Sequence, residues 1–398
     1  MEKNIDYFSK NRSTSKMNEH LLALKEKLLN HAKSDAIYAY APGRINLIGE
    51  HTDYNGGYVF PAAINRGIMV AASKNGTNLV KVMSLDLDRY FEFNLNSIST
   101  VKYDGWQNYV GGVVSQLVKL GYSFGGVNLC IIGNIPIGSG LSSSAALENS
   151  ILVALNKLFA LGLSKHEMVS ISQKAEHDYV GVKCGIMDQY ASMFGKANQA
   201  FLLQSSTLES TYLTIDFEEY ELVLINSHVN HSLGDSEYNA RRKTCESVAS
   251  KLGVSYISEL RSSVWRARKS ELTKNEYQKA NFVIEENKRV LEAYKALLEN
   301  NLKTFGKLMY DSHVGLQFEY QVSCRELDFL VEFARRSGVV LGSRMMGAGF
   351  GGCTLNLINK ESKVFKDAIS RAYLKKFNKK LSFIPVKLDE GARILDNE

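Results

Sequence analysis

Apolar positions change period repeatedly along this chain, and each change marks an element. Helical spacing of Leu21, Leu22, Leu24, Leu28 and Leu29 predicts a helix from Met17 to Lys33. Ile37 to Tyr40 reads as a short strand ended by Pro42-Gly43, with a loop after it. Strand-like runs recur at Tyr58 to Phe60, Ile68 to Ala72, Leu79 to Ser84 and Val127 to Ile132, with a helix between Trp106 and Leu120. Helical patterns dominate from Leu147 to Met193. Strands return at Phe201 to Gln204 and Tyr220 to Asn226, and helices follow at Ser236 to Leu252 and between Asn275 and Arg336. The pattern ends with a strand at Cys353 to Ile358, a helix at Glu361 to Lys376 and a strand at Phe383 to Val386. Strands and helices mix without a regular βαβ repeat, which predicts an α+β fold. The pattern restarts near Thr211, so the expected domains are residues 1–211 and 212–398.

Composition narrows the class without naming it. A chain of 398 residues, 45% hydrophobic and 23% charged, has ample material for a core. The formal charge is +6, but lysines and arginines are dispersed, with no block of like charge and no interleaved aromatics. No nucleic-acid partner is therefore expected. Five cysteines form no Cys-x-x-Cys pair, and no apolar run of eighteen residues or signal-like N-terminus occurs. No membrane association and a cytoplasmic location are the expectations.

Candidate chemistry begins at Gly138 to Glu148, where glycines and hydroxyls run into a helical pattern. The first amides of a helix lack intrahelical acceptors and lie at the positive end of its dipole, so they suit phosphate. A Walker loop is excluded, because Leu141 and serines follow Gly140 where Lys is required. The dinucleotide fingerprint is excluded because Ser143 stands in place of its third glycine. A hydroxyl at Ser143 or Ser144 suits Mg²⁺. A second cluster, Gly347 to Gly352, precedes an alternating strand rather than a helix, and by itself it reads as a packed turn.

Arg44 to Asn55 places Arg44, Asn46, Glu50, His51, Asp53 and Asn55 among glycines. A polyhydroxylated ligand needs such a set, because each hydroxyl must recover the hydrogen bonds it made with water. A metal site is the competing reading of Glu50-His51-x-Asp53. Against it, neighbouring side chains of an extended segment point apart and no other cluster completes a tetrahedral set.

The segment GRINLIGEHTDYNGGYVFPAAI resembles the sugar signature of galactokinases. PIGSGLSSSAALE resembles the ATP-binding motif of the wider GHMP kinases, and MMGAGFGGC their C-terminal glycine motif. AEHDYVGVKCGIMDQYAS and SEYNARRKTCE are similar to further galactokinase segments, so the resemblance runs from about Ala41 to Cys353. It implies a two-domain GHMP kinase fold, the N-terminal domain similar to the second domain of ribosomal protein S5 and the C-terminal one ferredoxin-like. It also implies an ATP-dependent kinase acting on the anomeric hydroxyl of α-D-galactose in the Leloir pathway, with MgATP as phosphoryl donor.

By the same resemblance, Asp188 is the catalytic carboxylate and Arg44 its cationic partner. Glu50, His51, Asp53, Gly185 and Tyr238 contact the sugar. Gly138, Ser139, Gly140, Leu141, Ser142, Ser143, Ser144 and Ala145 bind the nucleotide, with Trp106 near its base, and Glu176 with Ser143 or Ser144 holds Mg²⁺. Met346 departs from the pattern, because galactokinases usually carry Thr there, and a thioether does not replace a hydroxyl's hydrogen bond. Two other functions compete: an N-acetylgalactosamine or other sugar-1-kinase of the same fold, and a galactose/ATP sensor without catalysis. The intact Ser144-Ala145, Asp188 and Arg44 speak against the sensor.

Overall fold

The computed structural model describes residues 36–395 apart from 99–101, 104, 137, 230–233, 261–264 and 266. The helix expected at Met17 to Lys33 lies outside the described residues. The first sheet contains β1 (Ile37–Asn46), β3 (Pro61–Lys74), β4 (Leu79–Ser84), β5 (Arg89–Asn94), β6 (Val127–Gly133) and β13 (Arg393–Leu395). Its order is β13-β1-β3-β6-β4-β5, antiparallel except where β4 meets β6. A three-stranded sheet joins β2 (Tyr58–Val59), β7 (Gln199–Gln204) and β8 (Glu209–Thr214). An antiparallel four-stranded sheet joins β9 (Tyr220–Asn226), β10 (Val340–Met345), β11 (Cys353–Asn359) and β12 (Ser382–Pro385) in the order β10-β11-β9-β12.

Helices α1 (Gln107–Lys119), α2 (Ser143–Phe159), α3 (Lys165–Ala175) and α4 (Met187–Phe194) bury one apolar core with the first sheet, with Val113, Ile151 and Val169 fully enclosed. The other helices are α5 (Gly234–Leu252), α6 (Lys274–Leu298), α7 (Leu302–Val314), α8 (Arg325–Ser337) and α9 (Lys363–Phe377). A second core is shared: Ile45 and Leu47 after it, Phe60 and Leu141 pack with Leu224, Val290, Phe305 and Leu355. Met346 is buried in this cluster, which explains how an apolar side chain is tolerated beside the glycine loop.

Two differences from the expected elements matter for the site. β1 does not stop at Pro42-Gly43 but continues to Asn46, with a register shift between Pro42 and Arg44. The Arg44 side chain is therefore presented from a strand rather than from a loop. A Cβ at Gly43 would overlap the Leu141 carbonyl oxygen, so glycine at this bulge lets the two segments touch. Strands β5, β8, β10 and β13 were not expected. β5, β8 and β13 are short edge strands, the inward alternation of Phe91 and Phe93 spans only three residues of β5, and β10 turns Ser343 and Arg344 inward, so none carries a sustained apolar alternation. Thr211 pairs with Leu202 inside the β7–β8 hairpin, and β13 returns to β1.

Candidate active site

A cavity of about 510 Å³ opens where α4, the loop after β1 and the glycine loop before β11 converge. Arg44, Glu50, His51, Asp53, Ser144, Glu176, Gly185, Asp188 and Tyr238 all line it. These residues come from distant parts of the sequence. What gathers them is a small set of hydrogen bonds between backbone and buried charge.

The strongest is the fork between Arg44 and Asp188. Nε of Arg44 donates to Oδ1 at 2.7 Å and Nη2 to Oδ2 at 2.9 Å, a bidentate geometry that fixes both planes. Nη1 donates to the Gly140 carbonyl at 2.6 Å, and the Ser142 hydroxyl donates to Asp188 Oδ2 at 2.6 Å. Asp188 thus accepts three hydrogen bonds in the first turn of α4. Ser142, expected among the nucleotide contacts, spends its hydroxyl on this carboxylate and leaves the start of α2 without a side-chain cap. The first helical bond runs from Ala146 N to Ser142 O, so the amides of Ser143, Ser144 and Ala145 precede any intrahelical acceptor.

Asp53 lies in the turn Asp53–Asn55 and accepts from the Met187 amide, next to Asp188 in the chain, at 3.3 Å. Burial, then the neighbouring charge of Asp188, raises its carboxyl from 3.8 to about 6. Gly185 is required beside it, because a Cβ there would overlap the Asp53 carboxylate. His51 adopts φ +65°, and burial lowers its imidazole to about 3, so the ring is neutral. Its Nε2 lies 3.1 Å from the Ala348 carbonyl, which only accepts, so that nitrogen carries the proton. Nδ1 then accepts from Tyr54 OH at 2.9 Å, and Tyr54 OH accepts from Tyr320 OH at 2.7 Å. The Tyr238 ring stands 5.4 Å from both His51 and Tyr54.

Glu50 is more engaged than a ligand-binding carboxylate needs to be. Oε1 accepts from the Gly347 amide at 2.9 Å and faces Arg344 Nη2 at 3.0 Å, while Oε2 accepts from Asn46 at 3.1 Å. Sequence reasoning missed Arg344, which is fully buried in β10, because Gly342 and Ser343 beside it leave no apolar pattern against which an arginine stands out. It also read Gly347 to Gly352 as a packed turn. The loop does pack, because a Cβ at Gly347 would lie 3.3 Å from the Gly140 carbonyl, but Gly347, Ala348 and Gly349 also form cavity wall. Behind the loop after β1, α6 supplies anchors: Gly49 N donates to Glu286 at 3.1 Å and Tyr58 N to Asn287 at 2.6 Å.

Not every expected residue reaches the cavity. Ser144 lines it, whereas Ser143, about 100° around the helix, is exposed. Gly138 and Gly140 are exposed in left-handed turns, Ser139 and Leu141 are buried beneath them, and Ala145 is buried in α2. Trp106 packs edge-on against Phe91, 5.3 Å away, outside the cavity lining; Tyr109, on the next turn, is in the lining. Among the described residues, no three His, Cys, Asp or Glu side chains converge to hold an ion. Glu50, His51 and Asp53 each face different partners. Glu176 and Ser144 offer hard oxygen donors on one wall, a set suited to Mg²⁺ completed by phosphate oxygens and water. Behind Glu176, burial and the Glu176 charge push Glu148 well above the ordinary carboxylate range.

Comparison with known proteins matches this arrangement part by part. Residues 26–74 match the galactokinase galactose-binding signature, 108–196 the GHMP kinases N terminal domain and 293–375 the GHMP kinases C terminal model. The galactokinase of Clostridium tetani is 41% identical over 88% of this chain and 92% of its own. That of Thermotoga petrophila is 39% identical over 89% and 98%. The crystal structure of Lactococcus lactis galactokinase complexed with galactose superposes with a TM-score of 0.90 at 36% identity, covering 94% of this chain and all of that one. Methanococcus jannaschii mevalonate kinase shares the fold alone, with a TM-score of 0.63 at 20% identity over 89% of this chain and 99% of its own. With a shared apolar core, a half-buried acid–arginine fork and both glycine loops in their matching places, this chain has the GHMP kinase fold and belongs to the galactokinase family.

Proposed function

We propose that this chain transfers the γ-phosphoryl group of MgATP to the anomeric hydroxyl of α-D-galactose, giving galactose 1-phosphate. The observation that carries this reading is the Arg44–Asp188 fork on the wall of a cavity that also holds Asp53, His51 and Tyr238. Asp188 accepts the sugar hydroxyl's hydrogen bond and aims its oxygen, and Arg44 neutralises charge as that oxygen nears phosphorus. A strong base is unnecessary, because phosphoryl transfer passes through a loose transition state in which positioning dominates. The unpartnered amides at the start of α2 support a role in holding the phosphates, and Gly138 to Ala145 are proposed as that loop.

Glu176 and Ser144 are the residues proposed to hold Mg²⁺. An ion held there would supply positive charge to offset that of the phosphates. Glu50, His51, Asp53, Gly185 and Tyr238 are proposed to surround the sugar. Glu50 and His51 act in part through the Gly347–Ala348 backbone they hold. The five free cysteines suit the reducing cytoplasm, which is the proposed location. Among the described residues no helix is long and apolar enough to cross a membrane.

The test is ADP release from MgATP with galactose, N-acetylgalactosamine, glucose, mannose or no sugar, with phosphorus NMR locating the new ester. Turnover on galactose with phosphate at the anomeric carbon is expected. Turnover on another sugar alone would move the substrate within the same chemistry. Binding of both ligands with no turnover would replace the enzyme by a sensor.

A further inference from the structure

We infer that Asn239 and Arg242 of α5 are positioning residues that set the backbone of the 181–185 loop and through it Gly185 and Asp188. The inference rests on the galactose kinase reading above. The loop joins the turn of Glu176 to the helix of Asp188, and residues 181–185 have no regular secondary structure of their own. Its polar groups are satisfied from outside. Asn239 Nδ2 donates to the Gly181 carbonyl at 3.1 Å while its Oδ1 accepts from the Lys183 amide at 3.0 Å, so one side-chain amide reads both directions of the loop. One helical turn on, Arg242 Nη1 donates to the Lys183 carbonyl at 2.8 Å and the Cys184 carbonyl at 3.0 Å. His177 Nε2 donates to the same Cys184 carbonyl at 2.7 Å, and Gln173 Nε2 does so at 3.4 Å.

Six hydrogen bonds from side chains therefore hold the peptides of residues 181–184, four of them from two side chains on one face of α5. The position matters because Gly185 touches Asp53 with no room for a Cβ, and α4 begins two residues later with the Met187 amide bound to Asp53. A shift of the Lys183–Cys184 peptides moves both the Asp53 contact and the first turn that carries Asp188. The same helix presents Tyr238 to the cavity, adjacent in sequence to Asn239. One element therefore sets a wall of the sugar site and the approach to the reacting carboxylate. Arg242 itself is oriented by Glu246 at 2.8 Å and lies 5.9 Å from the centre of the Tyr54 ring. Neither Asn239 nor Arg242 lines the cavity, so their effect is indirect.

The experiment compares wild type with Arg242→Ala, Arg242→Lys, Asn239→Ala and Asn239→Asp in steady-state kinetics, thermal melting and amide hydrogen exchange. Misplacement by about 1 Å is enough for large rate losses. The expected result is a kcat about tenfold or more below wild type in both alanine variants, with KM for ATP within about twofold and a melting temperature near wild type. Exchange at residues 181–185 should accelerate, and Arg242→Lys should recover part of kcat.

A kcat within about twofold of wild type in both alanine variants, or unchanged exchange in the loop, overturns the inference. If Arg242→Ala does not fold, Asn239→Asp decides, since it keeps the acceptor for Lys183 and loses only the donor to Gly181. Failure of the wild type on galactose would count against the functional reading. The clamp is then judged by loop exchange and by turnover of whichever sugar the wild type accepts.

Discussion

Asp53 would serve the fold and its proposed role at the sugar under opposite conditions. Its carboxyl moves from 3.8 to about 6 on folding, through burial first and the Asp188 charge second. The folded state binds that proton more tightly than the unfolded chain, so this group's contribution to stability is full below about pH 4 and lost as pH rises through about 6. Accepting hydrogen bonds from sugar hydroxyls needs the ionised form, which dominates only above that range. Two outcomes are expected: KM for galactose climbs as pH falls below about 6, and Asp53→Asn melts higher than wild type near pH 8 but not near pH 4. Melting curves and sugar titration at a series of pH values check both. His51, lowered to about 3 by burial, contributes no limb to the profile near neutrality. At Asp188, replacement by Asn removes the charge that pairs with Arg44. Turnover should vanish while galactose binding, measured by calorimetry, stays largely intact; near-normal turnover would remove Asp188 from the chemistry.

At the scale of elements, the two glycine loops form one unit. Gly347 lies at φ +83° with its Cα facing the Gly140 carbonyl, and its amide is held by Glu50. A Gly347→Ala change puts a methyl group 3.3 Å from that carbonyl in a backbone conformation that costs roughly 1 kcal/mol or more for an L-residue. KM for ATP should rise at least several-fold, and more than the dissociation constant for galactose alone. An equal rise in both would mean that the loops move independently.

Among the described residues the helices and most buried strands were legible, the strands because Val80, Val82 and Leu129 alternate inward in a way that period alone detects. So was one wall of the cavity, since polar side chains among glycines stand out at Arg44 to Asn55, whereas Glu176, Gly185, Asp188 and Tyr238 came only through the family resemblance. Three features were not. The bulge at Gly43 depends on a carbonyl nearly a hundred residues away. The Ser142 hydroxyl can turn to Asp188 only because Ser142 is left-handed. Arg344 is recognisable only when Glu50 is seen opposite it. Each depends on a long-range contact that local periodicity does not encode.

Across the whole molecule, the Arg344–Glu50 pair ties β10 to the loop after β1 in surroundings almost wholly closed to water. Removing one partner leaves the other charged and buried, which costs about 3–5 kcal/mol, whereas removing both costs less. Arg344→Met should lower unfolding free energy by that amount in urea titration, and Arg344→Met with Glu50→Gln should recover a substantial part. Additive losses would show that the pair carries no coupling. Met346, Leu141 and Leu355 lie in the same shared core, so the damage would be felt on both sides of the cavity.

The pairing of β13 with β1 matters for how such a chain is made. Tyr38 finds Leu395 as its strand partner, and the Ala63 carbonyl receives the Asp389 amide. A ribosome therefore releases the strand bearing Arg44 long before it releases the segment that seals that strand's outer edge. Until residues 393–395 have emerged, β1 has an unpaired flank open to other nascent chains. Removal of residues 391–395 would consequently disturb yield and solubility before it disturbs catalysis.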